Sequence, residues 1–214
     1  MQSSLSYMAD LIEPAASGRA KCKGCNRPIA KLDLRFGEKY ANPYAEGEAV
    51  AWFHLSCAAL MRPEKVLVAL DAFAGDVPNV DTLRQFATVG VAHRRLPRLV
   101  GAERASSGRA HCRSCHQVID KGVFRLRLQM FEEGRVNPLG TIHAACSEAY
   151  LGTRDIVERL ALLTPELTAD DLAELRIALA SAPPAGPELA KTRGAGEADF
   201  DADSAEESSS TKAS

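Results

Sequence analysis

The cysteines of this chain form a repeated pattern, and that pattern constrains the fold more than any other feature. Each copy reads Cys-x2-Cys, a gap of 28 or 27 residues, and then His-x2-Cys. All six cysteines of the 214-residue chain belong to these two copies. The repeated residues are Cys22, Cys25, His54 and Cys57 in the first copy and Cys112, Cys115, His143 and Cys146 in the second.

The segments around the cysteines repeat as well. Residues 17–35 and 107–125 share nine identities in nineteen positions, at an offset of 90. A fixed offset of this length indicates duplication of a module of about 90 residues. We therefore predict two tandem modules with the same local fold.

Three cysteines and one histidine are the donor set of a structural zinc site, in which four ligands form a tetrahedron and no position stays open. The Cys-x2-Cys turn offers two thiolates, and the His-x2-Cys pair offers two more donors from one helical turn. We expect two structural Zn²⁺ ions per chain. The alternative interpretation is a set of buried free thiols.

Two further histidines, His111 and His116, flank the second Cys-x2-Cys and could compete as ligands. The first copy has Lys21 and Asn26 at the same positions. We therefore favour exposed or DNA-facing roles for both histidines.

The hydrophobic pattern predicts an α+β fold in which each module is a short antiparallel sheet with helices. Residues 123–131 alternate apolar and polar side chains with the period of a half-buried strand. Thr168 and Asp171 resemble a capping box at a helix start. The predicted strands are 32–40, 49–54 and 123–131, and the predicted helices are 62–73, 80–89, 153–163 and 168–180.

The composition divides the chain into four parts. The first module covers 5–92, a basic linker 93–103, the second module 104–181 and an acidic tail 182–214. The tail is rich in Ala, Pro, Gly, Ser and acidic residues, which predicts disorder.

The N-terminus has no basic head followed by an apolar run, so we see no signal peptide. Cysteines used as metal ligands also fit a reducing compartment. We expect an intracellular protein, in the nucleoid or cytoplasm of a bacterium or the nucleus of a eukaryote. We expect no membrane partner and no small-molecule substrate.

Positive charge is concentrated around both Cys-x2-Cys turns. The windows 17–39 and 104–127 each carry a net charge of +5, although the whole chain is at −2. Such a run is often only a solvated face, and part of it could offset the charge of a zinc bound by three thiolates. A duplicated basic patch on an acidic protein nevertheless favours contact with the phosphates of a nucleic acid.

These residues carry a resemblance to a known family. The sequence SGRA before Cys-x2-Cys, the strand that contains Arg35, and Trp52-Phe53-His54 before x2-Cys resemble the poly(ADP-ribose) polymerase (PARP)-type zinc finger. The second copy is similar, but Thr141 and Ile142 replace the tryptophan and phenylalanine. The resemblance covers most of residues 5–180 and implies zinc fingers that recognise DNA strand breaks.

The resemblance also implies roles for individual residues. The family contacts phosphates through basic side chains and lays apolar side chains of one loop against exposed bases. The stacking loop maps onto 42–50, where Tyr44 could stack on a base or pack over the sheet, and onto 131–140, where Phe131, Val136 and Leu139 could serve. The phosphate contacts map onto Arg19, Arg35, Arg109 and Arg125, and the repeat comparison adds Lys23 and Arg113, which preserve a positive charge. The candidate DNA contacts are therefore Arg19, Lys23, Arg35, Tyr44, Arg109, Arg113 and Arg125.

We therefore expect a zinc-dependent protein that binds DNA at nicks or ends and is not an enzyme, because the modules and the tail take up the chain without space for an ADP-ribosyltransferase domain. One alternative is a protein-interaction adaptor in which the fingers are only scaffolds. Another is a general nucleic-acid binder. A redox role for the Cys-x2-Cys thiols is opposed by the full set of four ligands in each site.

Overall fold

The computed structural model describes residues 9–42, 45–132 and 135–184, and these form two similar α+β modules. Each module has a three-stranded antiparallel sheet. The strands are β1 (Leu11–Pro14), β2 (Leu34–Ala41), β3 (Glu48–His54), β4 (Leu99–Arg104), β5 (Phe124–Glu132) and β6 (Arg135–His143). The helices are α1 (Leu55–Met61), α2 (Pro63–Ala72), α3 (Val80–Ala92), α4 (Ser147–Leu151), α5 (Val157–Leu163) and α6 (Ala169–Ala180).

The predicted fold class is confirmed. The strand orders are β1-β2-β3 and β4-β5-β6, so the two strands predicted after the Cys-x2-Cys turns, β2 and β5, are the central ones. The capping box is also present, since the Asp171 backbone N–H donates to Thr168 Oγ1 at 3.1 Å and the Thr168 N–H donates to Asp171 Oδ2 at 3.1 Å.

The edge strands β1, β4 and β6 were not predicted, and their composition explains why. Strand β6 contains Pro138 and Gly140, residues that are typical of turns, and the register of β5 against β6 shifts between Leu128 and Gln129. Proline is tolerated in a sheet at an edge or a bulge, where its missing N–H breaks no ladder. Strand β4 begins at Leu99, within the segment 93–103 that we interpreted as a linker.

The cores of the two modules are continuous at α1. Leu60 and Met61, at the end of this helix, belong to the buried cluster of the second module, together with Leu96, Leu99 and Leu160. A larger shared core supplies apolar burial that neither small sheet has alone.

A buried arginine also joins the modules. Arg159 on α5 is 3% exposed, and its Nη1 donates to the Leu60 carbonyl at 2.6 Å. Its Nη2 donates to the Phe86 carbonyl in α3 at 3.3 Å. Burial lowers the pKa of Arg159 to about 10, so the guanidinium remains charged at neutral pH.

Phe131 of β5 makes a further contact between the modules. Its ring meets Phe53 edge to face at a centroid distance of 5.5 Å. The Arg62 guanidinium lies 4.6 Å from the Phe131 ring centroid, and its Nη2 donates to the Phe131 carbonyl at 3.1 Å. Phe131, which we considered for base stacking, therefore packs at the junction of the modules.

No helix in the described parts of the chain has the length and apolar character needed to cross a membrane. The predicted acidic tail lies outside the described residues from position 185 onward.

We predict that Arg159→Leu destabilises the protein by about 2 kcal/mol, because the buried Leu60 carbonyl and the partly buried Phe86 carbonyl each lose a donor. Urea unfolding of the zinc-loaded protein measures this change. Arg154→Leu is the matched control, since Arg154 is half exposed and pairs with Glu148 at 2.6 Å. Such a surface pair contributes less than about 1 kcal/mol. Equal effects of the two substitutions would contradict a joining role for Arg159.

A turn before β2 gives a second prediction. Leu32 has φ 73°, whereas Gly122 occupies the repeat position with φ 85°. Leu32 is also 73% exposed, so its side chain has little packing to offset the left-handed backbone. We expect Leu32→Gly to stabilise and Gly122→Leu to destabilise the protein, each by roughly 1 kcal/mol. Thermal unfolding of both variants checks the two signs.

Candidate metal centres and basic surface

Each repeated set of cysteines and histidine comes together as one cluster. The donor atoms of Cys22, Cys25, His54 and Cys57 lie within 4.8 Å of one another. The same holds for Cys112, Cys115, His143 and Cys146. In both clusters two donors come from the turn before the central strand and two from the segment that ends the third strand.

The spacing of the donors fits zinc. His54 Nδ1 lies 3.4 Å from Cys25 Sγ and 3.9 Å from Cys57 Sγ. A tetrahedral zinc with bonds of about 2.3 Å to sulfur and about 2.1 Å to nitrogen separates such donors by about 3.6 Å. His143 Nδ1 has the same two distances to Cys115 Sγ and Cys146 Sγ.

A backbone carbonyl fixes the ring orientation of each histidine through the nitrogen that faces away from the cysteines. His54 Nε2 lies 3.1 Å from the Pro28 carbonyl, and His143 Nε2 lies 3.1 Å from the Val118 carbonyl. Because a carbonyl accepts only, Nε2 carries a proton, and Nδ1 is the nitrogen that faces the cysteines and would bind a metal once its own proton is displaced. Both clusters thus orient the histidine as a zinc ligand requires.

Backbone N–H groups support the first cysteine of each cluster. Cys22 Sγ accepts from the N–H groups of Gly24 at 3.3 Å and His54 at 3.4 Å. Cys112 Sγ accepts from Ser114 and His143, both at 3.4 Å. Such bonds favour the thiolate form, so the donor chemistry fits two structural zinc ions.

Proton affinities in the first cluster show how strongly its donors interact. Hydrogen bonding to Cys22 and then to Cys25 raises the pKa of His54 to about 10. Bonds with Cys22 and Cys57 lower the pKa of Cys25, whereas bonds with Cys22 and Cys25 raise that of Cys57. The cluster therefore shares protons that a bound Zn²⁺ would displace, which makes zinc affinity fall as pH decreases.

In the second cluster, too, the pKa of one cysteine is lowered and the pKa of another is raised. Burial acts to raise the pKa of Cys112, but backbone N–H groups of Cys115, His143 and Ser114 lower it overall. Burial, followed by the nearby Cys112, raises the pKa of Cys146.

Each Cys-x2-Cys turn is attached to the third strand of its sheet. The Lys23 N–H donates to the Trp52 carbonyl at 2.8 Å, and the Arg113 N–H donates to the Thr141 carbonyl at 2.9 Å. These bonds involve backbone groups only, so the change of side chain from Trp52 to Thr141 leaves them intact. Ile142 is fully buried where the first module has the buried Phe53.

Comparison with known proteins agrees with this geometry. Residues 13–89 match the family model described as the poly(ADP-ribose) polymerase and DNA-ligase zinc-finger region. The first module is a PARP-type zinc finger. The second module repeats its ligands, its sheet and its backbone contacts.

Curated relatives extend the similarity to the second finger. The chain is 30% identical over 154 residues to poly [ADP-ribose] polymerase of Drosophila melanogaster, covering 62% of this chain and 14% of the relative. It is 32% identical over 136 residues to poly [ADP-ribose] polymerase 1 of Gallus gallus, covering 55% and 13%. Since 55% of this chain is longer than residues 1–89, the matched region must extend beyond the first module. The chain spans only about a seventh of the length of these relatives.

Four of the predicted DNA contacts lie on exposed turns of the two modules. Arg19, Lys23, Arg109 and Arg113 are all exposed. None of them forms an ion pair within the described residues, although Arg113 Nη1 donates to the Leu139 carbonyl at 3.1 Å. Their charges are therefore available to an anionic partner.

Arg35 and Arg125 are in a different situation, because each is paired with a carboxylate on the neighbouring edge strand. Arg35 Nη2 lies 2.5 Å from Glu13 Oε1, and its Cζ lies 3.5 Å from the Trp52 ring centroid. Arg125 Nη2 lies 2.5 Å from Glu103 Oε1. Sequence reasoning missed Glu13 and Glu103, although they stand 90 positions apart like the arginines.

Another cation lies against the first zinc site itself. A hydrogen bond to Cys25, opposed by burial, raises the pKa of Arg27. The repeat position in the second finger is Gln117. Part of the basic window around the first finger therefore offsets the negative charge of its thiolates.

The remaining predicted site residues have varied positions. Tyr44 lies outside the described residues. Leu139 packs against the second core, and Val136 is 44% exposed. His111 and His116 are exposed, and neither belongs to the metal cluster of the second finger.

We predict that Cys22→Ser or Cys112→Ser lowers the zinc content from two ions to one, because each substitution removes a ligand from one closed site. Native mass spectrometry of the zinc-loaded protein measures the stoichiometry. The control is His111→Lys with His116→Asn, which places the residues of the first finger in the second. Two bound ions are expected there, and loss of one would show that a flanking histidine is a ligand.

Proposed function

We propose that the protein is a zinc-dependent DNA-binding protein that recognises strand breaks, such as nicks or ends. The observation that carries this proposal is the duplicated placement of exposed arginine and lysine side chains on turns fastened by Cys3His sites. Arg19 and Arg109 occupy the same repeat position, as do Lys23 and Arg113. Phosphate binding uses such fixed, unpaired cations.

Arg35 and Arg125 would contact phosphates in another way. Their carboxylate partners are more than one-third exposed, at 39% for Glu13 and 37% for Glu103, so the ion pairs lie near the surface. Arg35 Nε is a buried donor without a hydrogen-bond partner in the described part of the chain. The Arg35 and Arg125 side chains are themselves only 11% and 18% exposed, so a phosphate would reach just the solvent-facing edge of each guanidinium.

Recognition of a break requires an apolar contact with bases that an intact duplex keeps stacked. Tyr44 stands in the connection between β2 and β3, and stacking of its ring on a base would contribute roughly 1–3 kcal/mol. In the second finger, Phe131 and Leu139 are partly buried and packed against the cores, which leaves Val136 as the exposed apolar candidate. We therefore assign base stacking mainly to the first finger.

The proposed activity is binding, not catalysis. In each site three thiolates and one imidazole complete a tetrahedron, so zinc would have no open position for water or substrate. The relatives are polymerases by name, and the part of them that this chain matches is about a seventh of their length. We propose that the chain shares DNA binding by zinc fingers with them.

A titration of the zinc-loaded chain against intact, nicked and blunt-ended duplexes of one sequence tests the proposal. Nicked and blunt-ended DNA should compete much better than closed circular DNA. The logarithm of the binding constant should fall with the logarithm of salt concentration at about 0.9 per neutralised phosphate. The control is protein from which a chelator has removed the zinc, and its affinity for DNA should be lost.

Substitution of Arg19→Gln with Arg109→Gln should weaken binding to all DNA forms and lower the salt slope by about 2, since two phosphate contacts are lost. Tyr44→Ala should instead reduce the preference for broken DNA with little change in slope. Equal affinity for all DNA forms in the unsubstituted protein would reduce the function to general DNA binding. No affinity for any of them would favour the adaptor alternative.

A further inference from the structure

The segment that joins the two fingers carries arginines that the proposed contacts do not use. Arg95 precedes a short 3-10 turn at Leu96–Arg98, and Arg98 ends it. Leu96 in this turn is fully buried, and the next residue after the turn, Leu99, is also fully buried. The two arginines therefore project from an anchored backbone and not from a loose connection.

These arginines meet the second Cys-x2-Cys turn in a surface pocket of about 330 Å³. No acidic side chain of the described residues lines it. Its lining residues are Arg95, Arg98, Arg113, Ser114, Ala149 and Tyr150.

The protein partly fixes two of the three guanidinium groups, those of Arg95 and Arg113. Arg95 Cζ lies 5.2 Å from the Tyr150 ring centroid, a distance typical of a cation–π contact. Arg113 Nη1 donates to the Leu139 carbonyl at 3.1 Å, which leaves its other N–H groups for another acceptor.

Neighbouring carboxylates do not neutralise the pocket. Glu148, which adjoins the lining residue Ala149, pairs with Arg154 at 2.6 Å. No ion pair involves Arg95, Arg98 or Arg113 within the described residues. Three like charges that converge on one concavity raise its positive potential, and a bound anion relieves their repulsion.

The corresponding surface of the first finger has different chemistry. Lys23, at the repeat position of Arg113, lines a cleft between the modules together with Arg27, Arg127 and Glu166. A carboxylate is thus present beside the first turn, whereas the pocket beside the second turn has only cations among its charged lining residues. The pocket is a property of the second finger and the joining segment, and not of the repeat.

We propose that this pocket binds a phosphate of the DNA backbone, so that the segment between the fingers is itself a DNA contact. The inference rests on the proposed function and deepens it. Arg113 lines the pocket and also belongs to the exposed basic turn of the second finger, so one continuous backbone can contact both. The volume accommodates a phosphodiester group with part of its sugar, and guanidinium groups bind phosphate oxygens through paired N–H donors.

The test compares the zinc-loaded full chain with R95Q/R98Q and with a control of equal charge change, R84Q/R176Q. In the control, Arg84 pairs with Asp71 at the surface and Arg176 is exposed on α6, both outside the pocket. Nicked duplex is titrated at several salt concentrations. We expect R95Q/R98Q to bind about tenfold more weakly than the control and its salt slope to fall by about 0.9 for the lost phosphate.

Circular dichroism and zinc content verify that both variants are folded. Equal affinity and slope in the two variants would overturn the pocket contact while the proposed function stands. Absence of DNA binding by the unsubstituted chain would instead overturn the proposed function. A third measurement adds inorganic phosphate alone and compares the Tm of the two variants. If phosphate raises the Tm of the control but not of R95Q/R98Q, the pocket binds a free anion. If the two variants also bind DNA with equal affinity, the assignment of the pocket to DNA is wrong.

Discussion

Each zinc site fastens a turn to the end of a distant strand, and the rest of its module depends on that attachment. The site joins Cys22 to His54 across the whole β2–β3 hairpin, and Cys22 Sγ also accepts the backbone N–H of His54 at 3.4 Å. A sheet of three short strands has too little apolar area to hold such a turn by packing alone. Metal coordination supplies the missing free energy and at the same time positions the basic side chains of the turn.

The residues that carry a local signal could be predicted from the sequence, and those whose role comes from pairing could not. The zinc ligands were found because their spacing repeats, and β5 was found because Phe124, Leu126 and Leu128 alternate with polar residues. Strand β6 was missed because Pro138 and Gly140 indicate a turn. The ion pair of Arg35 was missed for a related reason: its partner Glu13 lies on an edge strand too short to show a period.

Duplication has preserved backbone contacts more strictly than side chains. The bond from Lys23 to the Trp52 carbonyl and the bond from Arg113 to the Thr141 carbonyl are nearly the same length, although the residues differ. Positions whose side chains do not hold the metal are free to diverge. The two fingers can therefore share one zinc geometry while one has a tryptophan under its strand arginine and the other has a pocket of arginines beside its turn.

The buried guanidinium of Arg159 bonds to carbonyls of two helices in the neighbouring finger. Two binding modules on a flexible tether gain a moderate effective concentration, because the tether samples many orientations. Two modules that share one core do not sample many relative orientations. Once one finger is bound to DNA as proposed, the other reaches its site at high effective concentration if the duplex follows the angle between them, and hardly at all if it does not. A nick, where DNA bends with little elastic cost, would then be distinguished from an intact duplex by its stiffness as well as by its exposed bases.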